Sequence, residues 1–115
     1  MGNLPQPAGT NHPAFKVIRR LVDQGRTWVK LSVLSGNSKV GPPTYADLTK
    51  LAQAYVQAAP ERLVWGSNWP HPKKPNKPDD AVLFDLLSQW IPDATNRHRI
   101  LVENPEGLYG FGKAD

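Results

Sequence analysis

The chain has 115 residues, with 14 Lys and Arg against 10 Asp and Glu, 12 Pro, 9 Gly and no Cys. This length permits at most one domain of ordinary size. The lack of cysteine excludes a disulfide scaffold, a thiolate zinc site and a cysteine nucleophile within the chain. No apolar run of about eighteen residues and no signal-peptide pattern occurs, so we expect a cytoplasmic chain without a membrane partner. The net charge of +4 is dispersed, which argues against a nucleic-acid partner.

The first part of the chain predicts a helix and a short strand after a Pro/Gly-rich segment at 1–11. The helix is expected to begin at an Asn11 or His12 cap with Pro13 just inside it, where its missing N–H costs nothing. Gly25 is the expected end of the helix. Residues 27–32 (TWVKLS) are rich in β-formers and predict a strand.

A second helix is expected to begin at a Thr44 cap, with Asp47 acting as an acidic capping box, and to end at Pro60. Residues 62–66 (RLVWG) then predict a strand that is covered on both faces.

After a polar loop at 67–78, Asp79 is expected to open a third helix, with Trp90 on its inner side. A fourth helix is expected from about Pro92 to Glu103, stopped by Asn104 and Pro105.

This order of elements predicts parallel strands joined by right-handed crossovers, an α/β fold. Two strands cannot protect both faces and both edges of a sheet. A complete barrel needs roughly 250 residues. We therefore expect the chain to be one part of a larger α/β body.

The most unusual stretch is residues 65–72 (WGSNWPHP), where the second strand ends. Ligands bind at the carboxyl ends of parallel strands, and strand alternation points Asn68 to the same side as Gly66. Asn68 and His71 are therefore the candidate catalytic residues. Asn is also a common turn residue, a lone His is often a packed loop residue, and the two Trp residues here are more typical of a core.

Four further residues are candidates for substrate binding. Lys30 and Ser32 alternate with aliphatic residues on the first strand, which points them away from the helices and toward a polar interior. Lys73 and Lys74 belong to a basic loop that either is simply solvated or steers an anionic substrate.

Five motifs together resemble one known family. They are HPAF from residue 12, WVKLS at 28–32, GPPTYADL at 41–48, ERLVWGSNWPHP at 61–72 and LVENPEGLYGF at 101–111. In order and spacing they are similar to the C-terminal part of the amidohydrolase-related (amidohydrolase 2) family. This family comprises metal-dependent TIM-barrel hydrolases and includes the 2-pyrone-4,6-dicarboxylate lactonases.

The resemblance implies a fold and a domain division. The two strands would be strands seven and eight of a (β/α)8 barrel, so the fold class is α/β, the C-terminal portion of a TIM barrel. Residues 1–115 would form this partial barrel, with an opening loop at 1–11, the alternating elements at 12–103 and a tail at 104–115. Relatives commonly carry Asp-His ahead of the Met-Gly that begins this chain, so Met1 is expected to be an internal methionine.

The resemblance also implies a function and a departure from it. The parent activity would be hydrolysis of a small carboxylated cyclic ester or lactone. Relatives carry Asp as general base in the strand-eight motif, where this chain has Asn68, and their strand-one His-x-His pair would precede residue 1. We therefore expect a truncated chain that is inactive alone, with His71 supporting Asn68 by hydrogen bonding.

No cofactor is expected in this chain, although the family allows Zn or Mn in full-length relatives. The expected partners are a small-molecule substrate and either a second copy or a chain that completes the barrel. The alternative is a non-catalytic binding or assembly module.

Overall fold

The computed structural model describes residues 1–6, 8–33, 37–72 and 74–112. Its sheet consists of two parallel strands, β1 (Val29–Leu31) and β2 (Leu63–Trp65). Val29 pairs with Leu63 in this ladder and Leu31 pairs with Trp65. Parallel pairing requires a crossover, and the helix between the strands supplies it. The predicted α/β alternation is thus confirmed.

Helix α1 (Pro13–Asp23) begins as expected. The side chain of His12 accepts a hydrogen bond from the Ala14 amide at 3.2 Å and so acts as the cap. Gly25 follows the helix with φ of +75°, a conformation that glycine adopts without strain.

Helix α2 (Ala46–Ala58) corrects the prediction made for its start. The cap residue is Tyr45 and not Thr44, and no side chain caps the helix there. Asp47 does not form a capping box, because its carboxylate accepts hydrogen bonds from Ser38 and from the Lys39 amide at 2.5 and 2.6 Å. Asp47 therefore ties the loop after β1 to the helix.

The next helical region has a short break. Helix α3 (Asp80–Asp85) and helix α4 (Leu87–Trp90) meet at Leu86. The Asp79 carboxylate accepts a hydrogen bond from the Ala81 amide at 2.8 Å, so the predicted opening of this helix at Asp79 is confirmed.

The C-terminal helices extend further than expected. Helix α5 (Ala94–His98) continues through a π-helical turn (Arg99–Glu103) into helix α6 (Asn104–Tyr109). The expected stop at Asn104 and Pro105 is wrong. Pro105 lacks an N–H and would clash in a regular helix, whereas the wider π turn before it accommodates the ring. The helix ends at Gly110, whose φ is 71°.

The core packs against the two strands. Strand β1 has a buried, exposed, buried pattern, and Leu63 and Val64 of β2 are both buried. The largest fully buried apolar side chains come mainly from the helices and strands: Leu31, Leu48, Leu51, Tyr55, Leu63, Trp90, Ile91 and Ile100. Burying such side chains contributes about 1.5–3 kcal/mol each, so this layer holds β1 and β2 against the helices.

Both outward edges of the strand pair carry a hydrogen bond from a non-strand residue. The Met1 nitrogen donates to the Lys30 carbonyl at 2.6 Å. The Asn104 side chain donates to the Leu63 carbonyl at 2.6 Å and to the Pro60 carbonyl at 2.7 Å. None of the helices in the described part of the chain is long and apolar enough to cross a bilayer.

Candidate functional site

The turn that follows β2 has an unusual backbone. Asn68 and His71 adopt φ of 71° and 53°. The His71 amide donates to the Asn68 carbonyl at 3.0 Å, and the Trp69 amide donates to the Ser67 hydroxyl at 3.2 Å. Asn and His adopt this left-handed conformation more often than most residues, but for both it costs more than it does for glycine. Such strain persists only where the surroundings fix the backbone, and it concentrates at functional sites.

The ring of His71 is buried, with 2% of its side chain exposed. Its Nε2 lies 2.8 Å from Oδ1 of Asp80, whose side chain is 43% exposed. An ionised carboxylate only accepts hydrogen bonds, so this contact requires a proton on Nε2. The hydrogen bond from His71 lowers the pKa of Asp80. Desolvation opposes this lowering, and a hydrogen bond from Ser67 adds to it.

Lys77 closes the same loop from the other side. Its Nζ donates to the Pro70 carbonyl at 2.7 Å and to the His71 carbonyl at 3.1 Å. A charged donor makes stronger hydrogen bonds than a neutral one. Lys77 therefore holds the backbone of the turn, and Asp80 holds the imidazole of His71.

Asn68 is half-buried, and within the described residues its side-chain amide makes no hydrogen bond. We expected His71 to support it through a side-chain hydrogen bond. The ring of His71 instead pairs with Asp80, and only the backbones of Asn68 and His71 are bonded to each other. The catalytic roles of both residues stay predictions.

Lys30 lies in β1 and Ser32 directly follows the strand, two positions further along the chain. A Cβ atom at Gly66 would lie 3.3 Å from Cδ of Lys30, so the Lys30 side chain lies over Gly66. Lys30 is exposed and Ser32 is 3% exposed. A larger side chain at position 66 would push the aliphatic part of Lys30 away, so the glycine allows Lys30 to lie across that face.

The loops after β1 and β2 face each other across a cavity of about 250 Å³. Ser38 and Tyr45 line one wall, and Lys74, Asn76 and Lys77 line the other. Burial raises the pKa of Tyr45, so its phenol stays protonated.

The cavity gathers only one of the predicted site residues. Lys74 lines it, whereas Lys30, Ser32, Asn68 and His71 are not among its lining residues. The remaining candidate, Lys73, lies outside the described residues.

The donor set does not fit a divalent metal. Within the described ranges no three His, Cys, Asp or Glu side chains come close enough together to hold an ion. A catalytic zinc site takes three protein ligands, and the Asn68 amide offers no charged one.

The two Trp residues that flank the turn differ. Trp65 is half-buried against the core and packs edge-to-face on Phe84, with ring centroids 5.5 Å apart. Trp69 is 74% exposed, so the expectation that it belongs to the core is wrong. It follows Asn68 directly, which places an indole surface beside the candidate site.

Sequence reasoning missed Lys77 as a structural clamp and Asp80 altogether. A signal for Asp80 was present, since two adjacent carboxylates stand at a helix start where one suffices as cap. Asp79 caps the helix, which leaves Asp80 free to pair with His71.

Comparison with known proteins identifies the family. The family model described as Amidohydrolase matches residues 1–111. The chain is 40% identical over 114 residues to 4-sulfomuconolactone hydrolase from Rhizobium radiobacter, covering 95% of this chain and 37% of that protein. It is 41% identical over 103 residues to D-galactarolactone isomerase from Agrobacterium fabrum, covering 87% and 35%.

A more distant relative and a solved structure agree. The 2-pyrone-4,6-dicarboxylate hydrolase of Comamonas testosteroni is 30% identical over 118 residues, covering 95% of this chain and 39% of that protein. An apo crystal structure from Agrobacterium tumefaciens superposes with a TM-score of 0.78 at 39% identity, covering 91% of this chain and 38% of that one. The chain thus spans between 35% and 39% of the lengths of these relatives. It belongs to the amidohydrolase family.

Proposed function

We propose that this chain forms strands seven and eight of a lactone-hydrolysing amidohydrolase barrel, and that it is the C-terminal portion of that barrel. The observation that carries the proposal is the meeting of the two strand-end loops around one cavity with lysines on its wall. In parallel α/β folds this end of the strands holds the active site. The similarity to two lactone hydrolases and a lactone isomerase supports the same substrate class.

The reaction defines what the site needs. Water attacks the ring carbonyl, the ring C–O bond breaks, and the products are a carboxylate and a hydroxyl group. A base must take a proton from the attacking water. Asn68 can orient that water by hydrogen bonding but cannot accept its proton. The chain alone is therefore inactive in this proposal.

Lysines at the strand ends favour an anionic substrate. Lys74 is exposed on the cavity wall, and Lys30 is exposed outside the cavity, on the face of Gly66. Cations in a cleft raise the local concentration of an anionic ligand and speed its capture. The proposed substrate is accordingly a small cyclic ester that carries a carboxylate.

A chimeric barrel tests the proposal. The matching third of the Rhizobium radiobacter hydrolase is replaced by this chain, and lactone hydrolysis is measured for the chimera and for its Asn68→Asp variant. We expect a folded chimera with weak turnover that Asn68→Asp raises, because Asp supplies the missing base. The control is Gln57→Glu at an exposed position of α2. It also converts a side-chain amide into a carboxylate, but away from the site, and should not raise turnover.

The isolated chain provides the complementary test. It is assayed on lactones with and without Zn²⁺ or Mn²⁺, and no hydrolysis above background is expected. Robust turnover that Asn68→Ala abolishes would contradict the proposed need for the rest of the barrel.

A second candidate function is a non-catalytic assembly module, and the two-stranded sheet favours it. The outer edges of a two-stranded sheet present backbone N–H and C=O groups that can pair with a strand of another chain. Val17 and Leu21, one turn apart on α1, are 47% and 40% exposed. Light scattering separates the candidates: self-association supports this module, and a stable compact monomer argues against it.

A further inference from the structure

We propose that Asp80 and Lys77 are positioning residues that act through His71 to hold Asn68 at the end of β2. Asp80 does not line the cavity between the two strand-end loops, and Lys77 lines it but gives its ammonium to the turn. Among the described residues, the hydrogen bonds of both side chains go to the imidazole of His71 and to the carbonyls of Pro70 and His71. The inference rests on the proposed function only for its kinetic consequence.

The turn after β2 needs an external support. His71 sits at φ of 53° and is almost fully buried, so its backbone is strained and its ring is fixed. Its amide in turn donates to the Asn68 carbonyl. A movement of His71 is therefore transmitted directly to Asn68.

Asp80 supplies a directional support. Asp80 is the first residue of α3, and the preceding Asp79 caps that helix with its own carboxylate. Asp80 is thus not needed for capping, and its Oδ1 lies 2.8 Å from Nε2 of His71. As a carboxylate it fixes the proton on Nε2 and with it the tautomer and the ring orientation.

Lys77 fixes the backbone. Its ammonium bridges two successive carbonyls, those of Pro70 and His71. Pro70 and His71 lie seven and six residues before Lys77, so these hydrogen bonds close the loop into a ring. Lys77 and Asp80 together hold the turn from two directions.

Nuclear magnetic resonance of the full chain tests the support directly. Asp80→Asn and Lys77→Met are compared with Asp85→Asn on the same helix and Lys50→Met on α2, both exposed positions. We expect the first pair to shift the amide resonances of Asn68 and His71 and to speed amide exchange in the turn, and the controls to leave both unchanged. Unchanged Asn68 and His71 resonances in both Asp80→Asn and Lys77→Met would overturn the proposal.

The tautomer of His71 distinguishes positioning from simple packing. We expect ¹⁵N shifts to show Nε2–H in the native chain and in Asp80→Glu, which keeps the carboxylate, but a mixture of tautomers in Asp80→Asn. The same single tautomer in all three would overturn the role assigned to the carboxylate.

The kinetic arm uses the chimeric barrel that carries Asn68→Asp. Adding Asp80→Asn should lower kcat by about tenfold or more and leave KM within about twofold, since a small misplacement of a reacting group costs rate more than binding. An unchanged kcat overturns the positioning role. A chimera without any turnover refutes the proposed function alone, because the resonance and tautomer measurements still decide the positioning role.

Discussion

One asparagine side chain lies near each end of β2, and the two side chains have opposite surroundings. Near the start of the strand, Asn104 is 7% exposed and its side-chain amide donates to the carbonyls of Pro60 and Leu63. At the end of the strand, the amide of Asn68 is half-buried and, in the described part of the chain, has no hydrogen-bond partner. The same side chain thus serves as a structural tie at one end and stays available at the other.

The comparison shows how this fold separates stability from chemistry. Buried polar groups are costly unless paired, so Asn104 stabilises the strand only because both of its N–H groups are used. The hydrogen bonds near Asn68 go to its neighbours, so the turn is held while the Asn68 amide keeps no partner among the described residues. This division agrees with the C-terminal face of parallel strands being the functional one.

The largest expected effect is that of Asn104→Ala. It leaves the carbonyls of Pro60 and Leu63 without their donor, and we expect a loss of about 2–4 kcal/mol in the free energy of unfolding. Urea denaturation measures this loss. Asn96→Ala on α5 is the matched control and should change stability by less than about 0.5 kcal/mol. Equal effects of the two substitutions would break the comparison.

The next effect is that of His71→Ala. It removes a buried ring and leaves an alanine in a left-handed conformation, so we expect a loss of about 2 kcal/mol. His98→Ala is the control because that ring is 62% exposed, and it should be close to neutral. If both histidines prove equally dispensable, the turn is not held as described.

A smaller effect is expected in acid. Hydrogen bonds from His71 hold the pKa of Asp80 below its ordinary value of 3.8. A lowered folded-state pKa stabilises the fold at pH values above the ordinary one, and this contribution is lost as the pH falls through the lowered value. The stability difference between the native chain and Asp80→Asn should therefore shrink below pH 3.8. Urea unfolding at a series of pH values measures it, and a constant difference would contradict the stabilising contribution of the hydrogen bond between His71 and Asp80.

Asp47 offers a parallel case at the other loop. Partial burial favours its neutral form, but hydrogen bonds from Ser38 and from the Lys39 and Val40 amides outweigh that effect and lower its pKa. The difference in unfolding free energy between the native chain and Asp47→Asn should therefore also shrink in acid, and urea unfolding at the same series of pH values measures it.

The smallest effect is expected for Asn68→Gly. Glycine adopts the left-handed backbone without strain, and the lost amide leaves no partner unpaired among the described residues. We expect a stability change below about 1 kcal/mol, measured under the conditions used for Asn104→Ala. A loss as large as that of Asn104→Ala would show that Asn68 is a structural residue.

Sequence reasoning succeeded where structure is set locally. The caps at His12 and Asp79 and the end at Gly25 depend on residues within a few positions, and all three are confirmed. The parallel pairing of the two strands also followed from the order of elements.

It failed where a side chain serves a distant part of the chain. Asp47 is used by a loop seven to nine residues before it, so it forms no capping box. The side chain of Asn104 donates to a carbonyl 41 residues away. Asn104 and Pro105 were expected to end a helix, but they lie at the start of α6. Asp80 reaches back nine residues to His71, a pairing that only the closed loop makes visible. The roles of Asn68, His71, Lys30, Ser32, Lys73 and Lys74 remain predictions.

The central claim is tested most directly by the ratio of lactone turnover between the Asn68→Asp chimera and the same chimera with Asn68. The account predicts a rise of about a hundredfold or more, the range attributed to a positioned general base. Equal turnover by the two proteins, at a rate comparable to that of the parent hydrolase, would contradict the account, since the strand-end residue would then take no part in activating water.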